Sequence, residues 1–303
     1  MISICGMRKR YGDHEAVRGI DLAIRRGEIF AFLGPNGAGK TTTVEILEGF
    51  RHASGGEISV LGADPWHAPA AWRERIGIVL QDSAPEPGLT VRECLAMYAG
   101  YYRVPRSVDA TLELVDLAKE ADQRATALSG GQRRRLDVAL ALVGDPELIF
   151  LDEPTTGFDP SARHAAWEVI AGLPELGKTI FLTTHYMEEA ERLADRIAVI
   201  ADGRIVAEGT PQTLGRRETS ATQITFALPP ATTLDDLPEA LHRRAIAEAG
   251  GRVTVSATAV ASDLHALSGW ALERGLELAD LEVHRPTLED VYLQLTSEDR
   301  QRS

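Results

Sequence analysis

Apolar positions along the chain keep two different periods. Ile2–Cys5 is an apolar run, Ile20–Ile24 alternates, and Glu28–Leu33, Gly56–Leu61, Ile76–Leu80 and Thr179–Thr183 read as strands. Leu148–Leu151 is a short apolar strand of the kind buried in a parallel sheet. Helical spacing takes over in Thr41–Phe50, Val91–Tyr102, Val108–Ala118, Gly131–Val143, Ala162–Gly172 and Met187–Ala194. Tyr11-Gly12-Asp13 and Arg26-Gly27 carry turn chemistry, and Asp202-Gly203 predicts a hairpin between Ile197–Ala201 and Arg204–Glu208. Strands alternating with helices, interrupted by a helical insertion at about 82–135, predict an α/β core with a helical subdomain.

After Gly215 the pattern changes. Gln223–Leu228, Arg252–Ser256 and Leu278–Val283 alternate, and Val260–Arg274 is an amphipathic helix. The expected domains are therefore 1–215 and 216–303, the second a small α+β unit of order ββ(β)αβα.

Composition supports this division and narrows the class. A length of 303 residues suits two domains, and 44% hydrophobic with 25% charged residues suits a soluble globular chain. Lys and Arg total 32 against 45 Asp and Glu, a net charge of −13, so nucleic acid is not an expected partner. Residues 216–303 share the bias, with nine basic and fourteen acidic side chains. No apolar run approaches the ~20 residues that cross a bilayer, and MISICGMRKRYG lacks the apolar stretch of a signal peptide. Cys5 and Cys94 make no disulfide framework. The expectation is a cytosolic protein, or the cytosolic part of something larger.

Gly34-Pro35-Asn36-Gly37-Ala38-Gly39-Lys40-Thr41 fits G-x-x-x-x-G-K-[ST] and falls between a predicted strand and a predicted helix. Glycines there let backbone N–H groups converge on phosphates, and the helix N-terminus adds its positive end. Lys40 would reach the outer phosphates and the Thr41 hydroxyl would bind Mg²⁺. Leu148–Leu151 runs into Asp152 and Glu153. Asp152 could face the same Mg²⁺ through water, and Glu153 could orient or deprotonate a water in line with the γ-phosphate. Leu128-Ser129-Gly130-Gly131-Gln132 is a second anion-binding turn ahead of a helix, or an ordinary helix cap with two permissive glycines. Two phosphate-grasping turns with one lysine suggest a composite site.

LSGGQ, after GPNGAGKTT and before LIFLDEP, resembles the nucleotide-binding subunit of ATP-binding-cassette (ABC) proteins, over residues 1–215. The resemblance implies a P-loop fold with an antiparallel β subdomain and a helical subdomain. It implies ATP and Mg²⁺ as ligands and a head-to-tail pair of subunits, in which Ser129, Gly130, Gly131 and Gln132 of one close over the γ-phosphate held by the other. Tyr11 matches the aromatic that stacks on adenine, and Thr42 follows Thr41 in the phosphate loop. Gln81 matches the glutamine that touches metal and attacking water, Asp159 the aspartate of the inter-subunit loop, and His185 the histidine on the γ-phosphate. Each has a plainer alternative: a turn aromatic, a surface amide, a helix cap before Pro160, a polar strand end. Phe158 stands where the family's loop usually has leucine, and Arg133-Arg134-Arg135 reads by default as a solvated helix face.

The ending Pro286–Thr296, with TTGFDP and TTHYMEEAE, resembles bacterial drug-exporter ATPases of the daunorubicin-resistance type, although those usually carry methionine at the position of Gln132. The resemblance implies separate membrane-spanning permease subunits, a place on the inner face of the plasma membrane, and export of a drug-like, lipid or other small substrate. Tyr98, Tyr101 and Tyr102 are candidate contacts to the permease, or core aromatics. A chromosome-maintenance ATPase would need a long coiled coil between Lys40 and Ser129, which are 89 positions apart without heptads. A ribosome-associated factor would carry two cassettes. An importer ATPase shares the same ATP-site chemistry and is the nearest alternative.

Overall fold

A two-residue turn at Gly12-Asp13, with Gly12 at φ 57°, folds β1 (Ile2–Tyr11) onto β2 (His14–Ile24) in the computed structural model. The structure describes residues 1–79, 86–214, 222–229, 232–247 and 251–284. They belong to two compact units, one within residues 1–214 and one within 215–294. Strand β1 runs six residues beyond the apolar Ile2–Cys5 segment, through the charged stretch to Tyr11. Register shifts after Ile4, Met7 and Lys9 let Met7 stay buried there.

From the hairpin the chain passes through β3 (Ile29–Leu33) and α1 (Lys40–Leu47) to β4 (Gly55–Val60), which pairs with β1. The result is an antiparallel sheet of order β2-β1-β4. Next come α2 (Ala70–Arg73), β5 (Ile76–Val79), and the helices α3 (Val91–Ala99), α4 (Val108–Leu114) and α5 (Gly130–Leu142). The unit is completed by β6 (Leu148–Asp152), α6 (Pro160–Gly172), β7 (Thr179–Thr184), α7 (Met187–Leu193) and the hairpin β8 (Arg196–Ala201) to β9 (Arg204–Gly209). Asp202 and Gly203 both have positive φ, 45° and 76°, as a tight two-residue hairpin requires. The second sheet has the order β5-β6-β7-β3-β8-β9, parallel except for the β8–β9 pair.

Alternation along these parallel strands divides the core in two. Phe30, Phe32, Phe150 and Phe181 share one cluster with Ile4, Ile20 and Val44 from the antiparallel sheet and α1. Phe181 lies 5.7–6.0 Å from the other three rings. Truncating a ring so enclosed costs about 3–5 kcal/mol. Ile149, Leu151, Ile180 and Leu182 point the other way and join Leu95, Leu136 and Trp167 of the helical layer. Two expected helices end early: α3 stops before Gly100, and α4 before Asp116, whose φ is 52°.

In the other unit, β10 (Thr222–Ala227), α8 (Glu239–His242), β11 (Ala245–Ala247), β12 (Arg252–Ala257), α9 (Val260–Glu273) and β13 (Glu282–His284) form an antiparallel sheet of order β11-β12-β10-β13 with its helices. Ile224, Phe226, Val253 and Val255 share a core with Leu267, Trp270 and Ala271 of α9. Arg244 grips Asp263 with two N–H groups at 2.8 and 2.7 Å, and the Thr258 N–H adds a third bond at 2.9 Å. The Arg244 pairing, helped by the Ala259 and Thr258 amides, pulls the Asp263 carboxyl down to about 2. The strand expected at Leu278–Val283 is confined to Glu282–His284, because Asp280 turns to φ 52° and breaks the extended run. No described helix is long and apolar enough to cross a membrane.

Candidate functional site

Gly34–Thr41 links β3 to α1, and its glycines are dictated by space. A Cβ on Gly34 would lie 2.5 Å from the Ile200 carbonyl oxygen, and one on Gly39 would lie 2.6 Å from that of Ala16. Gly37 and Gly39 also take φ of 82° and 105°. Gly39 is the N-cap of α1 and supplies no side-chain acceptor, so the first-turn amides are uncapped. Uncapped amides at the positive end of a helix dipole suit an anion.

Lys40 is buried rather than a surface lysine, only 5% exposed. Its Nζ donates to the carbonyls of Gly34 at 2.8 Å and Pro35 at 3.3 Å, and lies 3.8 Å from Glu153 Oε1. Burial lowers the pKa of this ammonium, partly offset by Glu153 and Asp152. A cavity of about 520 Å³ opens over the loop, lined by Tyr11, Asn36, Gly37, Gly39, Lys40, Thr41, Thr42 and Glu153, with His14 and Ala16 completing it. Tyr11 Oη lies 3.4 Å from Thr42 Oγ1, with the Lys9 and Arg51 cations 5.2 and 5.3 Å from its ring centroid.

Strand pairing sets the two acids. Asp152, the last residue of β6, is opposite Thr183 of β7, whose hydroxyl donates to Asp152 Oδ1. The Glu153 N–H donates to Thr183 O and Oγ1, both at 3.1 Å, while its φ turns to 45°. A left-handed conformation in a residue with a Cβ costs about 1–3 kcal/mol and persists only where the surroundings hold it. The turn leaves Glu153 Oε1 3.2 Å from His185 Nδ1 as well as near Lys40. Lys40, Glu153 and His185 therefore converge, with Thr41 exposed beside them on the first turn of α1. Thr41 and Asp152 offer hard oxygen donors, a set that suits Mg²⁺, an ion that retains several waters.

Ser129, Gly130, Gly131 and Gln132 lie elsewhere. They line a separate cavity of about 350 Å³ with Gly157, Phe158 and Asp159. Ser129 caps α5 in a reciprocal capping box with Gln132, at 3.0 and 3.3 Å, and Gln132 Nε2 donates to Glu120. Asp159 is the N-cap of α6, accepting from the Ala162 N–H at 3.0 Å, so the cap reading of that residue holds. Gln81 lies outside the described residues. A third cavity, about 450 Å³, is lined by Glu48, Phe50, Arg73, Ile78, Tyr98 and Tyr102. Burial, reinforced by Asp152 and Glu45, pushes the Glu48 carboxyl up to about 8. Tyr98 and Tyr102 pack half-buried against the helical core, while Tyr101 is 73% exposed.

One expectation is corrected. Arg134 is not on a solvated face: it is 7% exposed and donates to the carbonyls of Pro154 at 2.9 Å and Asp152 at 3.0 Å. Glu189 of α7 is also buried, and accepts from Thr155 Oγ1 at 2.7 Å and Trp167 Nε1 at 3.0 Å. An arginine run gives no signal for which member turns inward, and Glu189 sits in an acidic stretch that reads as surface.

Comparison with known proteins places this arrangement. A family model described as ABC transporter matches residues 17–156, and one described as ABC transporter domain-containing protein-like, C-terminal domain, matches residues 222–287. The daunorubicin resistance ATP-binding protein DrrA3 of Streptomyces coeruleorubidus is 40% identical, over 99% of this chain and 96% of its own. The chain belongs to the ABC transporter family. It is an ABC ATP-binding subunit, similar also to the Nod factor export ATP-binding protein I of Burkholderia lata, 40% identical over 99% of this chain and 98% of that one. Among solved structures, a dimeric ATP-binding cassette in a post-hydrolysis state with ADP and Pi matches at TM-score 0.61 and 26% identity, covering 69% of this chain and 98% of that chain.

Proposed function

We propose that this ABC subunit binds and hydrolyses ATP to drive export of a drug-like, lipid or other small substrate through separate membrane-spanning subunits, working on the cytoplasmic face of the membrane. The observation that carries the reading is the separation of two phosphate-binding features on one chain. Lys40 and Glu153 line one cavity, and the Ser129 turn lines another. Two copies placed head to tail bring the Ser129 turn of one to the phosphates held by the other.

In this mechanism the amides of 37–42 and the Lys40 ammonium receive the outer phosphates of ATP, and Lys40 exchanges the Gly34 and Pro35 carbonyls for phosphate oxygens. Tyr11 offers its ring to the adenine. Thr41 and Asp152, joined by Gln81, would hold Mg²⁺, which supplies neutralising charge on the outer phosphates. Glu153 positions the attacking water and accepts its proton. His185, 3.2 Å from Glu153 Oε1, orients that carboxylate and reaches the γ-phosphate. From the other copy, Ser129, Gly130, Gly131 and Gln132 close on the γ-phosphate, and Asp159 lies at the junction. The daunorubicin-resistance and Nod-factor-export names of the relatives support export, and exposed Tyr101 is a candidate contact to the permease.

Glu153→Gln provides the test. This variant should still bind Mg·ATP and accumulate as an ATP-locked dimer by sedimentation, while turnover falls at least about 100-fold. Near wild-type hydrolysis would move the water-positioning role to His185. A variant that stays monomeric with ATP, permease present, would sink the two-copy reading.

A further inference from the structure

We propose that Arg134 is a positioning residue that holds Glu153 in its working backbone conformation and ties it to the helix bearing Ser129. The inference rests on the reading of Glu153 as the water-positioning carboxylate.

The guanidinium donates to two carbonyls, those of Asp152 and Pro154, one on each side of Glu153. Between those anchors Glu153 takes φ 45°, a conformation that a free loop would leave. Two parallel N–H bonds from a planar fork fix the spacing of the two carbonyls, and so the turn of the residue between them. The donor is itself held: Arg134 is nine-tenths buried in α5, and Asp137 Oδ2 of the same helix lies 3.6 Å from it. The far side of the loop is held by other means, Thr155 by Glu189 and the Glu153 N–H by Thr183.

Arg134 also stands five residues after Ser129, in one rigid helix whose first turn is locked by the Ser129–Gln132 capping box. Movement of the Ser129 turn is thus delivered to the Glu153 peptide of the same chain. In a head-to-tail pair, Ser129 completes one site while Glu153 of that chain serves the other. Arg134 therefore bridges the two sites within a single subunit.

The experiment uses the full-length chain, with single-turnover and steady-state hydrolysis and equilibrium ATP binding measured side by side. Arg134→Met should lower kcat about 100-fold, the scale expected when a reacting group is misplaced by about 1 Å. KM and ATP affinity should stay within about threefold. Arg134→Lys keeps the charge but cannot fork to both carbonyls, and should lose about tenfold; it carries the test if the methionine variant melts below assay temperature. In a Glu153→Gln background, Arg134→Lys should cause no further loss, because its effect runs through that side chain. Unchanged kcat, a parallel fall in ATP affinity, or multiplicative losses with Glu153→Gln would overturn the proposal. Failure of the underlying reading has its own signature: Glu153→Gln alone hydrolysing at the wild-type rate.

Discussion

Lys40 in the phosphate loop and Asp263 in the carboxy-terminal unit are both charged groups taken out of water, and they are treated in opposite ways. Asp263 is fully answered by its own chain. Two Arg244 bonds and backbone amides surround it, its pKa falls to about 2, and its charge contributes to stability. Lys40 donates to two carbonyls and pairs with the Glu153 carboxylate, whose Oε1 lies 3.8 Å away, a looser partnership than the forked one at Asp263. Its pKa falls because burial outweighs its partners. A closed pair is architecture, whereas a buried cation whose partners do not outweigh its burial gains from an added anion.

The largest expected effect separates these two cases. Lys40→Ala should weaken ATP binding about 100-fold, roughly 2.7 kcal/mol, without lowering the melting temperature, because it removes a desolvated ammonium. A drop in melting temperature with ATP affinity unchanged would show that Lys40 is architectural after all. Asp263→Asn should do the reverse. Loss of the forked pair should cost the carboxy-terminal unit about 2 kcal/mol in denaturant unfolding, with ATP affinity intact.

The pH dependence sharpens the contrast through its sign. Asp263 has a lowered pKa, so its contribution is present above the ordinary carboxylate range and is lost as pH falls toward 2. The stability gap between wild type and Asp263→Asn should close over that interval. Glu48 is the opposite case, raised from 4.5 to about 8 by burial. Its cost is absent below about pH 4.5, grows as pH rises from there to 8, and is full above 8, where the buried carboxyl ionises. Glu48→Gln should match wild type at pH 4.5 and melt a few degrees higher at pH 9, in thermal scans without nucleotide. Equal melting temperatures at both pH values would mean that folding does not raise the Glu48 pKa.

What could be read before the structure was known follows from locality. The phosphate loop, the Asp152-Glu153 strand end and the Ser129 turn are contiguous, and each carries its chemistry within a few residues. Strands β3 and β6 were legible for a related reason: buried on both faces, they are apolar at nearly every position, and β7 adds β-branched threonines to the same kind of run. Strand β1 was half visible, because its second half is charged and bulged, and the short β11 gave no firm pattern at three residues. Arg134 and Glu189 were hidden because their partners lie 18–20 and 22–34 positions away along the chain. No periodicity records which of three adjacent arginines faces a carbonyl pair. The separation of Ser129 from Lys40 into two cavities is likewise a property of folding that residue order alone does not display.

The glycines at 34 and 39 leave room for backbone from two other strands, the Ile200 carbonyl of β8 and the Ala16 carbonyl of β2. Ala16 belongs to the hairpin whose other strand ends in Tyr11, and the Gly203 N–H behind it donates to the Ala38 carbonyl at 3.1 Å. The phosphate loop is therefore cast against the same piece of framework that carries the aromatic ring. Tyr11 and the loop thus share one support, so displacing the β1–β2 hairpin would disturb both sides of the cavity together.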